Sequence, residues 1–338
     1  MSRIPLIKKF SEKNKDLENK IVKLQKENED LRIQLREIFQ KTKKYDYCVN
    51  ELIEAKSQIK KHEWRTVNYS QRQKILYNKM GLVDSRLGSV ERKVQMIDQQ
   101  VQLLNNKLEN KLELIFRATN ENVWGNVFHD SIIDSKWLLE KKFSPGRWAV
   151  GYQFLYILYR ILDESNPKSI LELGLGQSTQ MISQYVKTDS EIQHIVVEHD
   201  LNWIDFYKNK HEIENNSQIL NLQLVKREFL DDPEVLAYAD FQKELSRYKF
   251  DLILIDAPFG KPYNIYARID IIDLIPQCLN EDFVILIDDY HRDGEKNMSE
   301  ILKKKLRENQ IEFFEGVYKG NKDTLIITSK DKKFLCTM

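Results

Sequence analysis

Backbone punctuation is almost missing from the first third of the chain: through residue 117 the only proline is Pro5 and the only glycines are Gly81 and Gly88. A fold that turns every few residues is excluded there, and long helix remains. Cysteine is as sparse. Cys48, Cys278 and Cys336 are odd in number and far apart, which proposes neither a disulfide framework nor a zinc site. No apolar run approaches the roughly 18 residues a membrane span requires, and MSRIPLIKKF lacks the long apolar core of a secretory signal, so a cytoplasmic protein is expected. An overall excess of either charge is also missing, with 53 Lys+Arg against 52 Asp+Glu, but the balance is not local. Residues 1–117 hold 26 basic against 16 acidic side chains, net +10, and the remainder 27 against 36, net −9. A basic segment suits anionic lipid head groups or an acidic partner. It lacks interleaved aromatic and basic residues that would stack on bases, which argues against nucleic acid.

What is present in residues 1–117 is heptad spacing. Leu17, Ile21, Leu24, Asn28, Leu31, Leu35 and Ile38 form one seam, with the polar Asn28 at an a position that favours a single register and a parallel dimer. A second seam runs Leu76, Met80, Val83, Leu87, Val90, Val94, Ile97, Val101, Leu104 and Leu108 in a different frame. The mismatch predicts a stutter, bend or interruption within residues 61–74. The expectation is a coiled-coil stalk over 1–117, a dimerisation element or spacer that would reach about 150 Å if continuous, followed by a second domain over 118–338.

That second domain alternates short apolar runs with helical stretches: SILEL (169–173), HIVVE (194–198), LQLV (222–225), DLILID (251–256), FVILID (283–288) and TLIIT (324–328). Strands buried on both faces predict a mostly parallel, doubly wound α/β sheet, whose ligands sit at the carboxyl ends of the strands. After SILEL comes Gly174-Leu-Gly176-Gln-Ser178-Thr179 and then a helical QMISQYV. Glycines in such a turn let the backbone approach a ligand, and Glu198, ending the second strand, stands where a carboxylate binds ribose hydroxyls. The pair suits adenosine.

These motifs carry a resemblance. From about residue 145 the chain resembles the class I S-adenosylmethionine-dependent methyltransferases, through LELGLGQST, Glu198, LILIDAPFG and VILIDDYHR, with EFFEGVYKG and KDTLIITS as the closing hairpin of a seven-stranded Rossmann-like sheet. The resemblance implies that Gly174 and Gly176 pack on the methionine and ribose of S-adenosylmethionine, that Glu172 and Ser178 complete its polar shell, and that Glu228 and Phe229, after the third strand, contact adenine.

Asp256, Asp288 and Asp289 end neighbouring strands. Clustered carboxylates call for a positive partner, and a divalent cation such as Mg²⁺ would supply it while organising a substrate hydroxyl. The arrangement is similar to the metal-dependent sugar O-methyltransferases of the macrocin O-methyltransferase-like group, with Asp256-Ala-Pro-Phe-Gly260 departing from their strand-four motif. His291 is the spare base for the acceptor proton. Lys261, Arg268 and Arg292 are candidates to grip an anionic group on the acceptor, and Trp148 and Tyr152 of SPGRWAVGYQF to form a sugar-stacking wall. The expected function is methylation of a saccharide hydroxyl by a homodimer, its stalk reaching a glycosyltransferase or the inner face of the membrane. Two alternatives stay open: an amine methyltransferase using DAPF, and an inactive coiled-coil scaffold.

Overall fold

The computed structural model describes residues 4–62, 69–146, 149–260 and 265–338. It divides into two compact units, Met1–Ile115 and Phe116–Met338.

The first unit is built from helix α1 (Ile4–His62) and the larger part of α2 (Tyr69–Ile132). The two run antiparallel against each other. Glu27 pairs with Lys111, Lys93 lies 5.9 Å from the Tyr45 ring centroid, and Lys56 Nζ is 2.5 Å from Asp84, so partners step down α2 as they step up α1. Both seams are half-buried from Leu24 and from Leu76 onward. Within one chain the two helices that carry the seams thus lie side by side, an arrangement apart from the parallel pairing expected with a second copy. Heptads specify which face is apolar and leave open which helix covers it. The expected interruption at 61–74 coincides with the gap between α1 and α2, and residues 63–68 lie outside those described. No described helix is long and apolar enough to cross a membrane.

The second unit holds a seven-stranded sheet. Its strands are β1 (Ser169–Leu173), β2 (Gln193–Glu198), β3 (Ser217–Asn221), β6 (Phe250–Ile255), β7 (Leu279–Ile287), β8 (Phe314–Lys319) and β9 (Asp323–Thr328), in the order β3-β2-β1-β6-β7-β9-β8. The first five are mutually parallel, and only β9 runs against them, pairing antiparallel with both β7 and β8. Strand alternation feeds two cores. Leu171, Leu173, Ile253, Ile255, Ile285 and Ile287 pack with Met298 and Leu302 of the helix Asp293–Glu308, while Ile170, Leu252, Leu254 and Leu286 pack with α3 (Tyr152–Ser165) and α4 (Gln177–Val186). Each such Leu or Ile contributes about 1.5–3 kcal/mol by leaving water. Helices cover both faces, which is the doubly wound, Rossmann-like sheet expected from the sequence. Chain order reverses between β1 and β6, so the ligand crevice belongs at their carboxyl ends.

One strand differs from expectation. LQLV is not the third sheet strand; that place is taken by SQILN, which pairs with β2 from His194↔Ser217 to Glu198↔Asn221. Asn221 Nδ2 donates to the carbonyls of Glu198 and His199, both at 3.0 Å, and ends the pairing there. The chain then forms a separate antiparallel hairpin of β4 (Leu224–Phe229) and β5 (Asp232–Tyr238).

Candidate active site

The glycine turn leaves β1 at the crevice. Gly174 has φ +103°, a left-handed conformation open to glycine, and a Cβ there would stand 3.1 Å from Ala257 Cβ. Gly176 differs. Its φ of −172° is ordinary extended backbone, and a Cβ would meet no protein atom within 4 Å. The protein thus requires a glycine at 174, whereas at 176 it leaves open space where a ligand would lie. Thr179, in the position of a third glycine, accepts a hydrogen bond from Gly176 N at 2.9 Å. Ser178 is buried in the first turn of α4.

Glu198 ties this turn to the end of β2. Its Oε2 accepts from Leu175 N at 3.2 Å, and its Oε1 from His199 N at 2.7 Å and Asp200 N at 3.0 Å. On the other side of Leu175, the Trp203 indole donates to its carbonyl at 2.7 Å. Glu172 lies deeper. One carboxylate oxygen meets His194 Nε2 at 3.1 Å, while Oε1 is buried with no hydrogen-bond partner. Trp203 and His194 escaped the sequence reading because each acts on a residue of another strand or turn. Glu228 and Phe229, expected at the end of the third sheet strand, lie instead in the β4–β5 hairpin, Glu228 exposed and Phe229 edge-on to Tyr266 at 5.3 Å.

The three acids converge at the ends of β6 and β7. Asp256 N donates to Leu173 O at 3.0 Å and Asp288 N to Ile255 O at 3.1 Å, while Asp289 takes a left-handed φ of 58° that turns the chain beyond the sheet. One oxygen from each carboxylate lies within 4.8 Å of the others. Two internal cations approach the cluster. Arg268 Nη2 donates to Asp289 Oδ2 at 2.7 Å and Asp256 Oδ1 at 3.3 Å, its Nη1 donates to the carbonyls of Asp288 and Ile255, and its Nε stands 3.6 Å from Glu295. Lys322 Nζ is 3.0 Å from Asp288 Oδ2 and 3.7 Å from Asp289 Oδ1.

Arg268 is therefore corrected from an acceptor-gripping side chain to a buried counter-ion, 2% exposed. Arg292, half-buried, lies 2.9 Å from Asp289 and 5.7 Å from the Phe259 ring centroid. Tyr152 packs on Gly125 and His129 of α2 instead of standing free as a wall. Trp148 and Lys261 lie outside the described residues.

Electrostatics separate the acids. Burial, and then Asp288, push the Asp256 carboxyl well above its ordinary range. Burial opposes ionisation of Asp289 too, but Arg268, Lys322 and Arg292 outweigh it and hold that carboxyl low. The donor set suits a hard cation: Asp288 Oδ1 and Asp289 Oδ1 are buried without hydrogen-bond partners, and Asp256 lacks full compensation. Burial pushes the His291 imidazole below its usual value against the pull of Asp289, and its buried Nδ1 has no hydrogen-bond partner. A neutral imidazole is able to accept a proton.

No family profile and no curated sequence matches the chain. Among solved structures it is similar to the SAH-bound methyltransferase PaMTH1 of Podospora anserina, at 14% identity over 62% of this chain and 88% of that one with a TM-score of 0.37. It is also similar to an O-methyltransferase of Bacillus cereus in complex with SAH, at 14% identity over 62% and 91% with a TM-score of 0.38. A third is the O-methyltransferase TomG of Streptomyces achromogenes in complex with SAM, at 12% identity over 62% and 89% with a TM-score of 0.38. At these values the likenesses carry no argument about activity, which rests on the site itself.

Proposed function

We propose that the chain is an S-adenosylmethionine-dependent O-methyltransferase acting on a saccharide hydroxyl. The observation that carries this reading is the turn at the switch point: a left-handed Gly174, open space at Gly176, and Glu198 fastened to Leu175 beside it. When bound, S-adenosylmethionine supplies an electrophilic methyl group and a divalent ion supplies Lewis acidity. Gly174 and Gly176 would admit the cofactor, Glu198 would face its ribose, and Glu172 Oε1 would offer an acceptor to its polar end. Asp256, Asp288 and Asp289 would hold the ion, and His291 would take the proton released as the acceptor oxygen forms its bond to carbon.

An amine acceptor bound by DAPF is less well supported, because the Arg292 guanidinium already lies over the Phe259 ring on which an amino group would stack. Assembly through the basic stalk with a second copy, and contact of that stalk with a glycosyltransferase or an anionic membrane face, belong to the same proposal. The test is a mass-spectrometric screen of nucleotide sugars and glycans for a gain of one methyl, with and without chelator. Methylated saccharide in the absence of chelator supports the reading. A methylated amine that persists in chelator moves the function to DAPF.

A further inference from the structure

Lys322 reaches the acid cluster from outside the elements that build it. It lies in the turn between β8 and β9, and that turn is fixed by α2: Asn321 N donates to Glu121 Oε2 at 3.1 Å, and Arg117 Nη1 donates to Asn321 O at 3.4 Å and meets Asp323 at 3.0 Å. A Cβ at Gly320 would stand 3.1 Å from Lys322 O and 3.2 Å from Gln153, so the backbone has little room to retreat. From this anchored turn the side chain, 14% exposed, places Nζ 3.0 Å from Asp288 Oδ2 and 3.7 Å from Asp289 Oδ1. Asp288 and Asp289 are 0% and 3% exposed, and each retains a buried Oδ1 with no hydrogen-bond partner. The ammonium group thus lies between the two carboxylates on which a divalent ion would depend.

We propose that Lys322 is a built-in cation of this cluster, and that its ammonium group and a divalent ion exclude one another at Asp288 and Asp289. The proposal rests on the reading that the three acids hold a metal, and it adds what opposes the ion. A dication bound to these carboxylates would stand within a few ångströms of the Lys322 ammonium in a poorly solvated site, where like charges repel strongly. Metal entry then requires Lys322 to swing off Asp288, and metal loss lets it return. The cluster is never left without a cation, and affinity for the metal is held down by the residue that replaces it. Arg268 does not play this part, because its guanidinium is committed to two backbone carbonyls as well as to Asp256 and Asp289.

The experiment is a titration of the full chain with Mn²⁺, read by electron paramagnetic resonance and calorimetry, for the wild type, Lys322→Met, Lys322→Arg and the double variant Lys322→Met with Asp288→Asn. Circular dichroism confirms folding of each. Lys322→Met should tighten Mn²⁺ binding by about 10- to 100-fold, the range over which partners of metal ligands act. Lys322→Arg should stay near the wild type, and Asp288→Asn should abolish the gain. Equal or weaker binding by Lys322→Met, or no Mn²⁺ binding by any variant, overturns the proposal. S-adenosylmethionine binding measured on the same samples keeps the two readings apart, since its loss in the wild type would strike the proposed function and leave the metal series to stand by itself.

Discussion

Glu198 and Asp289 both end buried at the carboxyl edge of one sheet, yet they are stabilised in opposite ways. Glu198 is met by three backbone amides of its own strand end and of the glycine turn, at 2.7–3.2 Å, with the adjoining His199 ring as a side-chain neighbour at 2.9 Å. Asp289 is met by side-chain cations from three other places in the chain, Arg268, Arg292 and Lys322. An acid satisfied by amides is part of the framework, and a ligand can be added beside it without disturbing its partners. An acid satisfied by side-chain cations belongs to a balance of charge, and whatever binds there must rearrange that balance. On the proposed reading, backbone amides hold the acid on the cofactor side of the crevice, and side-chain charges hold the acid on the acceptor side.

Breaking the charged side should have the largest effect. Asp289→Ala leaves Arg268 short of its best partner in a buried site, a type of loss that costs about 3–5 kcal/mol. Because Asp256 and Glu295 remain near Arg268, the lower end is expected in urea unfolding, together with loss of turnover. No change in stability would mean that the cluster is solvated and the contrast with Glu198 is unfounded.

His291→Ala should lower turnover by about 10² to 10⁴, the usual contribution of a positioned base, with partial recovery at higher pH. A rate loss identical at every pH would make the imidazole structural.

The smallest effect sharpens the comparison, because Asp270 is an intermediate case. It accepts from a backbone amide, Tyr238 N at 2.6 Å, yet burial pushes its carboxyl up to about 7. A buried acid raised in this way stabilises the fold most below the unfolded carboxylate range, and the contribution is lost as pH rises from about 4 to about 7. Asp270→Asn keeps the acceptor and removes the ionisation. It should melt above the wild type at pH 8 and close to it at pH 4. Equal melting points at pH 8 would show that its amide partner is enough to satisfy this carboxylate.

This contrast also explains what the sequence made legible. The strands of the sheet were readable as apolar runs because both faces are buried, and Glu198 because its role depends on position at a strand end. SQILN was missed as the third strand because its polar Ser217, Gln218 and Asn221 hide a run whose pairing comes from β2. The acid cluster was visible, but its compensation was not: Arg268 follows Asp256 by twelve residues through a loop, and Lys322 comes from a hairpin still further on. Such partners are set by where the chain returns, which local spacing does not encode. In the stalk the heptads mark the half-buried faces, and heptad spacing by itself does not say which helix covers them.

The central claim, that the glycine turn and Glu198 form a cofactor site, is tested most directly by calorimetric titration of S-adenosylmethionine into the wild type and into Gly174→Val. The account predicts saturable binding by the wild type and its loss in the variant, whose side chain would be strained at φ +103° and would press on Ala257, with the far-ultraviolet dichroism unchanged. No binding by the wild type, or equal affinity in both proteins, would contradict it.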